Sequence, residues 1–149
     1  MGALRTSPAH QSVLKLAVVV AVGGAAGATT RALLETWWPA TSNGWPWTTF
    51  AINLVGSFAL GLLLETLVRS GASERRQRRV RLLLGTGALG GFTTYSTFVV
   101  EVERRLASGV VPLALTYLLV SVIAGLFMAG LGIVIADRLR RHAGGRSDA

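Results

Sequence analysis

The sequence has no cysteine and only two histidines, His10 and His142, both close to the ends of its 149 residues. Without cysteine there is no disulfide, no thiolate metal site and no cysteine nucleophile. Histidines confined to the tails argue against a His-based metal site or catalytic base. Charge is scarce too: 15% of residues are charged, and only seven are Asp or Glu. Glu35, Glu65, Glu101, Glu103 and Asp137 all fall near the ends of apolar segments, where a charge at headgroup level costs little. No nucleophile–base–acid set is visible, so the chain does not read as an enzyme. The missing mid-segment carboxylate argues against a proton-coupled exporter, which needs a titratable group within the membrane.

What the sequence has instead is hydrophobic length. Apolar residues make up 51% of the chain and mean hydropathy is +0.52. Four stretches are long enough to cross a bilayer, roughly 13–34, 48–68, 82–102 and 112–136. They predict an all-α membrane protein, a single domain over 1–149 with four transmembrane helices and polar tails at 1–12 and 137–149. The first stretch resembles a signal peptide at its start, with Arg5 and Lys15 ahead of it. It runs on through Leu34 and three more spans follow, so it reads as a retained helix.

The net charge of +8 suggests a nucleic-acid partner only until the basic residues are located. They lie in the tails and one connection, not along a face interleaved with aromatics, so no nucleic acid is expected. Of the 15 basic residues, 12 fall on the side shared by the two tails and the segment 69–81. Only Arg31, Arg104 and Arg105 fall on the other. The positive-inside rule then places both termini in the cytoplasm and the chain in the plasma (inner) membrane. All four tryptophans lie between Trp37 and Trp47, around a turn marked by Pro39 and Asn43-Gly44. Trp prefers the headgroup level, so this loop reads as an interfacial anchor in the lipid bilayer.

Within the spans the polar residues are neutral. Thr49 and Asn53 share a face of the second span, being four residues apart, as do Tyr117, Ser121 and Gly125 of the fourth. Tyr95 and Phe98 lie close on one face of the third. An Asn amide is costly in lipid unless paired, so Asn53 faces either a partner helix or a pore. Gly23 and Gly27 form a GxxxG pair that lets another helix approach. Gly85, Gly87 and Gly90 match GxGxxG, but inside an apolar span with no preceding strand, so no dinucleotide site follows. Gly90-Gly91 followed by Thr93, Thr94, Ser96 and Thr97 is poor helix sequence for a bilayer. Either the helix stays continuous with small residues at a packing face, or it unwinds and frees carbonyls of the kind that bind a small cation such as Na⁺.

Three of these segments carry a resemblance. Gly23-Gly24-Ala25-Ala26-Gly27-Ala28-Thr29-Thr30-Arg31, Thr48-Thr49-Phe50-Ala51-Ile52-Asn53-Leu54-Val55-Gly56-Ser57-Phe58 and Gly90-Gly91-Phe92-Thr93-Thr94-Tyr95-Ser96-Thr97-Phe98 occur in this order on the first three spans. Together they resemble the Fluc family of fluoride channels, also called CrcB, over about Gly23 to Asp137. The resemblance implies an antiparallel dimer with two narrow fluoride pores at the subunit interface and a third helix broken mid-membrane. It implies a structural Na⁺ at the dimer centre, held by the main-chain carbonyls of Gly90 and Thr93. By the same resemblance Asn53 donates to fluoride, Tyr95 and Phe98 face the anion, Thr49, Tyr117 and Ser121 extend a polar track, and Arg31 stands at the aqueous vestibule.

The chemistry is consistent with that assignment. Asn, Ser, Thr and Tyr supply donors without a fixed charge, and aromatic edges carry positive quadrupole. Several moderate sites favour both entry and exit of an ion. The sequence departs from the family at Tyr95, where Phe is usual, and at Gly125, where the fourth-helix track often carries Ser. The lopsided basic count favours one insertion orientation. The dimer partner is therefore either a second copy or a paired homologous subunit of opposite orientation. The competing reading is a small four-helix multidrug or cation exporter. It calls for an embedded carboxylate in the first span, and there is none.

Overall fold

A computed structural model describes residues 8–41 and 44–144 of the chain. Asn43 of the expected turn, and Arg5 and Arg146 of the tails, lie outside the described residues. Among the described residues every element is helical: α1 (Pro8–Trp37), α2 (Trp47–Val68), α3 (Glu74–Val80), a π-helical segment (Arg81–Leu89), α4 (Gly90–Phe92), α5 (Tyr95–Ala107) and α6 (Val111–Gly144).

Three helices are long and apolar enough to cross a membrane, over Val13–Trp37, Trp47–Val68 and Val111–Arg141. Each keeps bulky apolar side chains exposed, such as Val22 on α1, Val55 on α2 and Leu126 on α6. A helix apolar on its outer faces is at home in lipid rather than in water. The stretch 82–102 forms no single helix of this kind. Backbone torsions stay helical from Glu74 through Gly90, and the ladder widens to π spacing over Arg81–Leu89. It ends at Phe92. Thr93 and Thr94 are extended (ψ 156° and 120°), and α5 restarts at Tyr95. The interruption therefore falls on the two threonines, one step after the glycine pair, which is still helical.

Two helix pairs organise the molecule, α2 with α6 and α1 with the π-helical segment and α4. Both are built on backbone contact. A Cβ at Gly61 would collide with the carbonyl of Ala129, and one at Gly132 with that of Phe58, so α2 and α6 pack at glycine distance. A Cβ at Gly23 or Gly27 would collide with the carbonyl of Leu83 or Ala88, and one at Gly91 with that of Gly24. The GxxxG pair is thus a packing surface, and Gly87 of the GxGxxG string lies against Val20 and Gly23 of α1. The turn after α5 closes with Gly109 at φ 78°, where Gly109 N–H donates to Leu106 O and Val110 N–H to Arg105 O. Only glycine adopts this left-handed cap without strain. The buried apolar cluster is small, Phe98 and Val102 of α5 with Ala114 and Tyr117 of α6, roofed by Trp45 and Phe50. Trp37, Trp38 and Trp47 stay exposed around it.

Candidate functional site

The helix break is held by Asn53. Its Nδ2 donates to Thr94 O at 3.0 Å, and its Oδ1 accepts from Thr94 N–H at 2.9 Å. In an unbroken helix that N–H would reach back four residues to Gly90 O. Asn53 supplies the acceptor instead and leaves the Gly90 carbonyl without its ladder donor. Thr94 caps α5, its Oγ1 accepting from Thr97 N–H at 3.1 Å and donating to Thr97 Oγ1 at 3.0 Å. Thr93 turns its N–H and Oγ1 back to Leu89 O, each at 2.9 Å. Gly56 seats the break: a Cβ there would strike the Thr93 methyl.

Beside the break runs a groove of about 340 Å³ between α2, α6 and the two half-helices. It brings together Asn53, Gly90, Thr93, Tyr95, Phe98 and Ser121 and has no charged side chain in its lining. The Tyr95 and Phe98 rings are 6.2 Å apart. Phe98 is buried, whereas Tyr95 is 79% exposed on the outer surface of the chain. Ser121 Oγ is buried on the groove wall, one helical turn from Tyr117. Ser57 also lines the groove, and its Oγ stands 3.6 Å from where a Cβ of Gly125 would be. It therefore brings a hydroxyl from α2 to the place where α6 has no side chain.

Thr49 and Tyr117 belong to a different cluster. Thr49 Oγ1 donates to Glu101 Oε1 at 2.8 Å, and Tyr117 O–H donates to Glu101 Oε2 at 2.9 Å. The sequence places Glu101 at a span end. In the structure it is only 7% exposed, enclosed by α2, α5 and α6. Arg105, one turn further on, is 2% exposed. Its guanidinium donates to Glu101 O at 2.8 Å, to Thr41 O at 3.1 Å and to Gly44 O at 2.6 Å, and it lies 5.9 Å from the Tyr117 ring centroid. Trp45 packs edge-on against Tyr117 at 5.4 Å. The tryptophan loop is thus pinned onto the Thr49–Glu101–Tyr117 cluster. Replacing Glu101 with Gln turns one of its two acceptors into a donor. Glu101→Gln should lower stability by about 1–3 kcal/mol, read as a lower thermal midpoint in detergent. An unchanged midpoint would mean that the cluster is not structural.

Arg31 stands apart from the groove. It pairs with Glu35 at 3.1 Å, and its Nε donates to Gly91 O at 3.3 Å, joining α1 to α4. Glu35 lines a wider cleft of about 970 Å³ at the tryptophan-loop end, together with Thr49, Glu101 and Arg104.

Among the described residues no group of His, Cys, Asp or Glu is placed to hold a metal ion. The chemistry at the break is that of neutral oxygens. The Gly90 carbonyl has lost its ladder donor and Thr93 lies in extended backbone, which suits an alkali cation and not a divalent one. Glu101, Arg105 and Ser57 are the residues that sequence reasoning missed. Glu101 and Arg105 carried one faint signal, an i,i+4 charge pair that continues the buried stripe of Phe98 and Val102.

The family model for CrcB-like protein, Camphor Resistance (CrcB), matches residues 18–133. The chain is 48% identical over 111 residues to fluoride-specific ion channel FluC 1 of Cutibacterium acnes, covering 74% of this chain and 78% of that protein. It is 38% identical over 142 residues to fluoride-specific ion channel FluC 2 of Nocardia farcinica, covering 94% and 96%. FluC 1 of Streptomyces coelicolor is 39% identical over 121 residues, covering 81% and 77%. A match of this length, over all the segments that build the groove and the break, leaves one assignment: the chain belongs to the CrcB family of membrane proteins.

Proposed function

We propose that the chain is one subunit of a fluoride-specific ion channel that lowers cytoplasmic fluoride by passive efflux, with no enzymatic step. The observation that supports this best is the groove at the helix break, lined by amide, hydroxyl and aromatic groups with no charged side chain. Fluoride holds its water tightly, so a pore must replace those hydrogen bonds with donors. A full positive charge would hold the ion too well for conduction. In this reading Asn53 offers its second amide hydrogen to the anion while the first holds Thr94. Ser121 and Ser57 continue the path and Phe98 and Tyr95 present ring edges, while Thr49 and Tyr117, expected to extend it, already donate their hydroxyls to Glu101 outside the groove. Arg31 keeps its vestibule place by resemblance alone, since it stands apart from the groove with its charge paired to Glu35. Liposomes loaded with fluoride should empty when the purified protein is present, and chloride-loaded ones should not. Retention of fluoride by a correctly assembled protein would remove the proposal.

The half-helices on either side of Thr93–Thr94 together make a fourth crossing, over about 82–102. Tyr95, exposed on a single chain, faces an antiparallel partner across which the pores form. The carbonyls of Gly90 and Thr93, with their counterparts in a partner subunit, would hold a structural Na⁺, which would supply a fixed positive charge at the break. Thr93→Ser should be mild, because the serine keeps every main-chain oxygen, and so should Gly90→Ala, whose Cβ would meet only Gly85 O at 3.7 Å. Exchanging Na⁺ for a large organic cation should slow or stop fluoride flux. Flux that stayed constant over a wide Na⁺ range would leave the pore assignment and end the cation role.

The basic count puts both termini in the cytoplasm. Single cysteines at Ala40 and Ser73, both exposed, should label differently from outside intact cells. Equal labelling would mean dual insertion and a homodimer in place of a paired subunit of opposite orientation. One observation favours the exporter reading: the buried carboxylate of Glu101. An exporter coupled to protons through Glu101 would need a pH gradient, whereas the channel runs down the fluoride gradient alone.

A further inference from the structure

At the far end of the molecule from the tryptophan loop, the sequence Glu74-Arg75-Arg76-Gln77-Arg78-Arg79-Val80-Arg81 folds as α3 and the first turn of the π-helical segment. Its five arginines are all exposed. Among the described residues no carboxylate lies within ion-pair distance of any of them. The nearby acids are already engaged: Glu65 and Asp137 pair with Arg69, and Asp137 also takes Arg141 at 2.9 Å. Glu74 is the single carboxylate in the segment, so a strong positive excess remains. A charge excess alone is an ordinary solvated surface. Here it borders a groove of about 290 Å³, with Leu64, Leu67 and Val68 of α2 on one wall and Arg78, Arg81, Gln77 and Glu74 on the other. Val68 is 74% exposed at the last turn of a membrane-crossing helix. The Gln77 side chain is turned away to donate to Ala72 O at 2.9 Å, which leaves the two guanidinium groups as the donors facing the groove.

We propose that this groove binds one anionic phospholipid, with the headgroup phosphate on Arg78 and Arg81 and the acyl chains along Leu64, Leu67 and Val68. The match is one of chemistry on both walls: planar donor forks suit a phosphate, and the apolar wall continues the surface of α2 into the lipid. A soluble anion would use the arginines and leave the leucines idle. With Glu74 on the same wall the lining still carries one net positive charge, which favours an anionic headgroup over a zwitterionic one. The site shares no lining residue with the groove at the break and holds whether or not the chain conducts fluoride.

The test is native mass spectrometry of the full-length detergent-solubilised protein, with phosphatidylglycerol or phosphatidylcholine of the same acyl chains and with inorganic phosphate. Wild type should retain one phosphatidylglycerol per chain in preference to phosphatidylcholine, and inorganic phosphate should not displace it. Each basic contact near a membrane surface is worth about fivefold in binding, so Arg78→Gln/Arg81→Gln should weaken retention about 30-fold. Arg75→Gln/Arg76→Gln, which removes equal charge outside the groove, should leave most of it. Arg78→Lys/Arg81→Lys should restore part of the selectivity and guards against a folding artefact. Equal retention of both lipids, or equal loss in the two Gln pairs, would reduce the segment to a diffuse positive surface and overturn the site. Loss of dimer with bound lipid unchanged would assign the groove to the partner chain and overturn it as well.

Discussion

Asn53→Ala should cut fluoride flux about 30- to 1,000-fold while the protein still inserts and can be purified. The estimate follows from the two bonds to Thr94, at 3.0 and 2.9 Å. Their loss strands a backbone N–H and C=O in a water-poor groove, at about 2–4 kcal/mol in total. Part of that cost disappears if Thr94 N–H falls back to Gly90 O and heals the helix, but healing would close the break on which the site depends. Asn53→Asp separates the two tasks. It keeps an acceptor for Thr94 N–H, loses the donor for Thr94 O, and adds a charge that repels anions. Flux should be absent in Asp as in Ala, but the thermal midpoint of Asp should fall less. Full flux in assembled Asn53→Ala would reduce the residue to interhelical packing.

Gly27→Ala should disrupt assembly by a single methyl. The new Cβ would overlap the Ala88 carbonyl and stand 2.8 Å from Phe92 N, backbone atoms that cannot turn away. The whole of α1 must then move off the π-helical segment and α4, taking the Arg31–Gly91 bond with it. Overpacking a well-fitted contact costs about 1–3 kcal/mol, and more where backbone meets backbone. Gly130→Ala is the matched control, because nothing lies within 4 Å of its Cβ position. Size-exclusion profiles and melting curves of the two variants should differ sharply. Similar behaviour would mean that α1 packs elsewhere.

These two residues also mark how far the sequence could be read. Gly27 was legible because GxxxG is a local pattern whose consequence, close approach, does not depend on the partner's identity. The same holds for α1, α2 and α6, whose length and composition determine them, and for the unstable helix stretch around Gly90. The exact site of the break was not legible. It is set by Asn53 taking the Thr94 N–H across 41 residues of sequence, while Gly90 keeps helical torsions although its carbonyl has lost that donor. The burial of Glu101 was hidden for a similar reason: its partners Thr49 and Tyr117 lie 52 and 16 residues away. Span-end position suggested a solvated charge, and tertiary hydrogen bonds decided otherwise. The π spacing over Arg81–Leu89 left no mark, since apolar residues with glycines fit either period.

The central claim is a passive path selective for fluoride, and the current it carries is the direct measure. Purified protein in a planar bilayer, with fluoride on one side and chloride at equal concentration on the other, should give a current whose reversal potential lies close to that of a pure fluoride conductor. It should need no pH gradient. A reversal potential near zero, or a fluoride flux seen only under an imposed proton gradient, would contradict the account.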